Sequence, residues 1–431
     1  MKEPTLCVGA DVHLDTITLC VVDKADCHEV TERFRVTNNL PGAQAAATTI
    51  AQLASCLGYS RIEIGWEATG MLWIPFQRHL RNSPQLQPFE LQLVCFNPQL
   101  IKSFQDGLVL RKPKNDPRDA ATIAARLRFG ELPRSYVPSD FWQGLRRLTR
   151  YRYHLSHNLS REKMRFQAYA FLKCSDWKRV KVLSASWDKA FSDLFGATSA
   201  SLLTEFTSAE IQQMTHDQLI ELICRRDRSR FHDPTGTARA VREALRTSYP
   251  IEAAMDEMVT ASLTTSWEHI RCIKRLMQRL DQHIAHHIEP FPNPIITIKG
   301  LGAVITAGIL AEIVDVSRFP EHKHLAQYMG LTWEKRCSGN SVSPHTRLTK
   351  VGNGYLRYYF VLGADRLRQF NLEYKAYYWR KYHEVAKYQH KRALVLTARK
   401  LVRLVHALLT KNLPYVRPRS LVYLQEDAAL Q

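Results

Sequence analysis

A chain of 431 residues, 45% hydrophobic and 23% charged, can bury an ordinary core without disulfide or metal staples. At one domain per ~150 residues it should hold two or three domains. Sixty Lys and Arg against 41 Asp and Glu leave a net charge of +19, a self-repelling excess that an acidic partner relieves, and nucleic-acid phosphate is the commonest such partner. The nine cysteines include no C-x-x-C pair, which argues against a zinc ribbon and predicts reduced, mostly buried thiols. The chain runs straight into a strand pattern and has no apolar run of membrane-spanning length, so it reads as soluble and cytoplasmic.

Residues 5–135 read as α/β. Leu6 to Val12 is a short apolar run with Asp11 near its end, and Thr16 to Val22, rich in β-branched residues, is its hairpin partner. Glu32 to Val36 is a third strand, Pro41 opens an Ala-rich helix ending near Gly58, Ile62 to Glu67 alternates with period two, and Leu91 to Phe96 is a further strand followed by a helix. Three early strands followed by strand–helix alternation predict a ribonuclease-H-like mixed sheet over residues 1–138.

Residues 139–290 read as helical. Ser139 is a good N-cap for a helix carrying Phe141, Leu145, Leu148, Leu155, Leu159 and Phe166, with Arg146, Arg147, Arg150, Arg152 and Arg161 among them. A second long helix carries Leu263, Ile270, Met277, Ile284 and Ile288 at near-heptad spacing, which suits either dimerisation or an intramolecular hairpin. The stretch from about 175 to 250 is weakly patterned and reads as helical and loop-rich. Residues 291–431 form a third, mainly helical unit: a Pro-rich linker at 291–294, Gly300-Leu301-Gly302 leading into an apolar helix from Ala303 to Val314, and a basic amphipathic helix from His390 to Lys411.

Four acids sit where a metal site could form. Asp11 and Glu67 end strands, and Asp116 and Asp119, three apart around Pro117, fall on one face of a helix that can start there. Oxygen-only ligands suit Mg²⁺ or Mn²⁺ acting at a phosphodiester. Each acid also has a plain alternative as turn residue or helix cap, and Glu63 competes with Glu67 on the same strand face. Far downstream, Arg336-Cys337-Ser338-Gly339-Asn340 places a serine in a Ser-Gly turn, with Arg336, Arg347, Lys350 and Arg357 available to hold a phosphate. A serine needs activation, and His345 is the nearest histidine in sequence. Ser341 and Ser343 are rival nucleophiles.

Gly9-Ala10-Asp11-Val12-His13, Trp66-Glu67-Ala68-Thr69-Gly70 and Lys114-Asn115-Asp116-Pro117-Arg118-Asp119-Ala120, in that order, resemble the N-terminal RuvC-like domain of the bridge-RNA-guided insertion-sequence recombinases. Leu14 and Asn115 stand where that family commonly has Lys and Thr. Tyr328-Met329-Gly330-Leu331, the Ser-Gly pair and Lys350-Val351-Gly352-Asn353-Gly354-Tyr355-Leu356-Arg357 resemble the family's C-terminal transposase domain, although 340–346 departs from its Gly- and basic-rich pattern. Lys299-Gly300-Leu301-Gly302 resembles a helix-hairpin-helix turn that meets DNA phosphate, with Lys299 where the family commonly has Pro.

The resemblance implies a catalytic and metal-binding set of Asp11, Glu67, Asp116 and Asp119 and a serine nucleophile, Ser338, that links covalently to DNA. It also implies a guide RNA, donor and target DNA, a homo-dimer or tetramer, and action at the nucleoid of a prokaryotic cell. The readings to set against it are a metal-only structure-selective nuclease, a non-catalytic nucleic-acid-binding protein, and an actin-like sugar kinase, for which Gly-rich phosphate loops are missing. His283, His286 and His287 read as a polar helix face, and Tyr374, Tyr377, Tyr378 and Trp379 as a packing face.

Overall fold

The computed structural model describes residues 4–26, 28–108, 116–129, 131–132, 136–177, 191, 193–227, 233–334, 337–338, 341–342 and 347–416; at 108, 116–117, 227, 334, 337–338, 341–342 and 347 it describes the backbone alone. The chain divides into two compact units, Met1–Pro138 and Ser139–Gln431.

The first unit is built on a five-stranded sheet. In chain order its elements are β1 (Thr5–Val12), β2 (Thr16–Asp23), β3 (Phe34–Thr37), α1 (Leu40–Leu57), β4 (Arg61–Glu67), α2 (Trp73–Asn82), β5 (Glu90–Phe96), α3 (Pro98–Leu108) and α4 (Asp116–Arg128). The strand order is β3-β2-β1-β4-β5. The first three strands form an antiparallel meander, and β4 and β5 then add in parallel. This is the mixed α/β layout expected of a ribonuclease-H-like domain.

Both sheet faces are covered, so the central strands are apolar on both sides. Leu6, Val8 and Ala10 of β1 pack with Ile62, Ile64 and Trp66 against α1 and α2. Cys7 of β1 packs with Cys20, Val94 and Phe96 against Ala120, Ile123, Ala124 and Leu127 of α4. Helix α1 is held at both ends, by the Asn39 side chain accepting from Gly42 N–H and by Gly58 in the left-handed region at φ 75°.

The second unit is helical. Its elements are α5 (Asp140–Lys173), α6 (Ala197–Glu205), α7 (Ser208–Gln213), α8 (His216–Asp227), α9 (Pro234–Thr247), α10 (Ala253–Ile288), α11 (Ala303–Ile313), α12 (His322–Tyr328), the short strands β6 (Trp333–Glu334), β7 (Cys337–Ser338), β8 (Ser341–Val342) and β9 (Arg347–Leu348), then α13 (Gly354–Phe370), α14 (Leu372–His383) and α15 (Gln389–Lys411). Ser139 does precede α5, but its side chain makes no capping hydrogen bond; the Ser139 carbonyl accepts from Gln143 N–H instead.

The heptad-like seam of α10 is used within the chain. Helices α5 and α10 run antiparallel: Phe166 shares a core with Val259, Leu263 and Ile270 near one end, and Leu145 shares another with Ile284 and Ile288 near the other. Helices α6–α9 close the first of these cores, and α11–α15 close the second. The patterning around 175–250 was weak because α6–α9 are short, and almost all of α6 is buried.

Helix α4 can lie on β1 only because position 9 has no side chain. A Cβ at Gly9 would stand 2.1 Å from the Ala120 carbonyl oxygen and 2.5 Å from the Ala124 nitrogen, both backbone atoms. Gly9→Ala is therefore expected to destabilise the first unit by about 1–3 kcal/mol or more in chemical denaturation. Gly144→Ala in α5, where an added Cβ meets nothing within 4 Å, is expected to be neutral or to stabilise by up to about 1 kcal/mol.

Candidate functional site

Two of the four acids are placed by the parallel β1–β4 pairing. Its register matches Gly9 with Gly65 and Ala10 with Trp66, so Asp11 and Glu67 stand at adjacent positions at the ends of neighbouring strands. Side chains alternate along a strand, and Cys7 and Glu63 set the face: Asp11 and Glu67 belong to the α4 side of the sheet. After Glu67 the chain turns away, with Ala68 N–H donating to the Phe96 carbonyl and Gly70 at φ 63°.

Helix α4 begins at Asp116, and its first turns carry Asp119 toward the residue, Ala120, that touches Gly9. The Asp116 side chain lies outside the described residues. Asp119 Oδ1 accepts from Gln105 Nε2 at 3.4 Å, and Asp11 Oδ2 is 3.1 Å from His13 Nε2. Among the described residues no group of three His, Cys, Asp or Glu side chains is close enough to hold a metal ion.

The residues fit a hard divalent cation in kind. The donors are all carboxylates. Thr18, paired with Asp11 across β1–β2, has a buried hydroxyl with no hydrogen-bond partner among the described residues. Glu63, the rival on β4, is engaged elsewhere. It is fully buried and takes Lys24 Nζ at 2.6 Å, Arg61 Nε at 3.3 Å and the Cys7 thiol at 3.7 Å. The same burial, with the Glu63 charge beside it, pushes the Cys7 thiol up to about 12.

Ser338 lies on β7, paired with Ser341 of β8, while Cys337 pairs with Val342. The two serines thus occupy matched positions on either side of residues 339–340, which lie outside the described residues, as do Arg336, Ser343 and His345. The outer strands β6 and β9 pair Trp333 with Leu348 and Glu334 with Arg347. The sequence shows a Ser-Gly pair alone, because the four two-residue strands are too short to leave a periodic pattern.

The motifs flanking the serine build the stem of this hairpin. Thr349 N–H donates to the Thr332 carbonyl at 2.9 Å, Asn353 N–H to the Tyr328 carbonyl at 2.7 Å, and the Thr332 and Thr349 hydroxyls are 3.0 Å apart. Gly330 (φ 66°) and Gly352 (φ 118°) permit the close approach, since a Cβ at either would stand 2.4 Å from a backbone oxygen of the facing segment, of Val351 and Tyr328 respectively.

The proposed phosphate-binding cations take different positions. Lys299 is exposed, beside Gly300 at φ 105°. Lys350, at φ 54°, is exposed at the foot of the stem. Arg357 is half-buried, and its Nη1 donates to the Met329 and Lys350 carbonyls at 2.7 and 3.0 Å, so part of this guanidinium clamps the stem. Burial holds Arg357 below the usual arginine range.

Beneath the stem lies a cluster that was not singled out in the sequence. Glu312 of α11 is fully buried and accepts both arms of Arg150, at 2.6 and 2.9 Å, and Asn353 Nδ2 at 2.8 Å. Arg146 Nε is 3.7 Å from Glu312 Oε2 and donates to the Ala311 carbonyl at 2.9 Å. Asn353 also caps α13 through Leu356 N–H. The stem is thereby fastened to α5, α11 and α13. The one signal available in sequence was a lone acid in the apolar run Ala303 to Val314, since a buried carboxylate demands a cation.

Two family models match. Residues 8–172 match one described as Transposase, of the DEDD IS110 type, and residues 293–379 match one described as Transposase IS116/IS110/IS902 family. Together they support a transposase, an enzyme class that cleaves and recombines DNA. The particular kind they support is an IS110-type transposase, and the DEDD match points to a divalent-metal dependence. No curated protein matches the chain. Among the described residues no helix is long and apolar enough to cross a membrane.

Burial alone would raise the Glu312 carboxyl, but its bonds to Arg150, the nearby Arg146 charge and the Asn353 amide outweigh that and hold it below the usual glutamate range. A folded-state value below the unfolded one adds stability above about pH 4.5 that is lost as pH falls through the folded value. Glu312→Gln, which leaves Arg150 and Arg146 buried without their counter-charge, is expected to cost about 3–5 kcal/mol at pH 7. The gap to the parent should shrink below about pH 4, as read by urea denaturation across that range.

Proposed function

We propose that the chain is a transposase that cuts and rejoins DNA through a phosphoserine intermediate on Ser338, with Asp11, Glu67, Asp116 and Asp119 holding Mg²⁺ or Mn²⁺. The observation that carries this reading is the shared edge of β1 and β4, where two acids stand side by side beneath the helix that bears the other two. The order of the two family matches along the chain supports it.

A divalent cation at this edge would supply positive charge to a phosphodiester. The carboxylates would bind it, and Gln105 and His13, at hydrogen-bonding distance from Asp119 and Asp11, would orient them. Ser338 Oγ forms the new bond to phosphorus as the scissile P–O bond breaks. The serine gives up its proton, and the departing strand oxygen takes one up. Attack by the hydroxyl of another strand reverses these changes and restores a phosphodiester without net loss of a bond. Lys299, Arg336, Arg347, Lys350 and Arg357 are the cations assigned to the DNA backbone. We further propose that a structured guide RNA selects donor and target DNA. In the same reading the protein works as a homo-dimer or tetramer, in which carboxylates and serine of different chains can combine.

Ser338→Ala and Asp11→Ala should each lower strand exchange by on the order of 10³-fold or more, whereas Ser341→Ala should not. Mixing the two inactive chains should restore part of the activity if the site is shared. A Ser338→Ala protein that recombines DNA at the parental rate would remove the serine mechanism and leave the metal-only nuclease.

A further inference from the structure

The five arginines of α5 noted in the sequence separate into two groups. Arg146 and Arg150 serve Glu312, and Arg152 pairs with Asp281 at 2.7 Å. Arg147 and Arg161 make no ion pair among the described residues; Arg161 Nη2 donates only to the neutral Asn158, at 2.5 Å. Arg147 is held below the usual arginine range by burial and by the neighbouring Arg150 and Arg146 charges. It is a cation among cations, with Glu312 already engaged by the other two.

Arg147 and Arg161 lie in one row with four other residues of α5. Arg147, Tyr151, His154, Asn158, Arg161 and Arg165 follow one another at alternating steps of four and three residues, which puts them in one narrow stripe on α5. The stripe is opposite the buried Leu145 and Thr149 and flanked by the buried Leu155 and Phe166, and all six of its residues are exposed or half-exposed. It contains no acid. The nearest is Glu162, which is buried, bonded to Ser266 Oγ at 2.6 Å and 3.5 Å from Arg165. From Arg147 to Arg165 the stripe runs about 27 Å at 1.5 Å per residue.

The stripe also adjoins the serine-bearing hairpin. His154 Nε2 is 3.2 Å from the hydroxyl of Tyr355, the second residue of α13, which follows directly from the stem. Arg150, fixed by Glu312, lies over the Tyr355 ring at 4.5 Å.

We propose that this stripe of α5 is a binding track for the phosphodiester backbone of duplex DNA, leading to the foot of the hairpin that carries Ser338. A row of cations with a single carboxylate, the buried Glu162, at its Arg165 end gains by releasing counterions from a polyanion. The straight helix sets Arg147, His154 and Arg161 about 10 Å apart along its axis. Tyr151 and Asn158 supply neutral hydrogen-bonding groups of the kind that accompany cations at phosphate contacts. The proposal rests on the reading of the chain as an enzyme acting on DNA, and not on which serine attacks.

The test uses the full chain and a fluorescent 30-base-pair DNA duplex, with affinity measured as salt is raised. Arg147→Gln/Arg161→Gln/Arg165→Gln is expected to bind at least roughly tenfold more weakly near 100 mM salt and to lower the slope of log affinity against log salt by about 2 to 3. Lysine at the same three positions should keep the parental slope. The control Arg225→Gln/Arg226→Gln/Arg246→Gln removes equal charge from arginines that pair with Glu221, Glu205 and Glu243, and should leave the slope within about 1 of the parent. A stripe variant with the parental affinity and slope, or one that loses no more than the control, overturns the proposal. So does a loss seen only with a structured RNA of similar length. If the parent itself shows no salt-dependent DNA binding, the DNA reading falls as well, which separates the two failures.

Discussion

The first unit depends on how closely a helix can approach the middle of a sheet. Gly9 and Gly65 face each other in the parallel β1–β4 register. Together they make a floor without side chains, on which α4 rests through Ala120, Ala124 and Leu127. Any Cβ at Gly9 would strike the α4 backbone, and one at Gly65 would press on Phe96 and Leu127. Two residues beyond this floor, on the same face, come Asp11 and Glu67, and the helix it seats begins with Asp116 and Asp119. A packing constraint thus sets where the backbone carries these acids.

The second unit uses the opposite physics. Its fixed point is a charge taken out of water. Burying Glu312 is costly unless cations and donors surround it, and Arg150, Arg146 and Asn353 come from two other helices to do so. What the cluster gains in return is a rigid foot for the stem of β6 and β9, since Asn353 is at once a ligand of Glu312, a cap of α13 and a partner of Tyr328. Ser338, the nucleophile we propose, is carried on a two-residue strand with little local structure of its own, so its position must be borrowed from such a base.

The sequence was most informative where one local period decides the outcome. The apolar run with Asp11 near its end, the Ala-rich helix opened by Pro41 and ending near Gly58, and the seam from Leu263 to Ile288 all have patterns long enough to read. The partner of that seam was open, because a heptad face does not say whether it meets α5 or another chain. The role of Arg150 was closed to inspection, because its partner Glu312 is 162 residues away. Arg357 shows the reverse difficulty: an arginine near a serine invites a phosphate-binding reading, yet part of its hydrogen bonding goes to backbone carbonyls of the stem. Glu63 and Glu67 share a strand face, and only the positions of Lys24 and Arg61 separate the buried ion pair from the acid at the sheet edge.

In the function we propose, the α4 side of the sheet at the ends of β1 and β4 is one metal site. Titration of Mn²⁺ into the full chain, followed by electron paramagnetic resonance of the free ion, tests it without relying on activity. Binding is expected to be saturable and to be weakened at least roughly tenfold by Asp11→Asn and by Glu67→Gln, while Glu63→Gln, if folded, leaves it unchanged. Parental Mn²⁺ binding by a folded Asp11→Asn protein would contradict it.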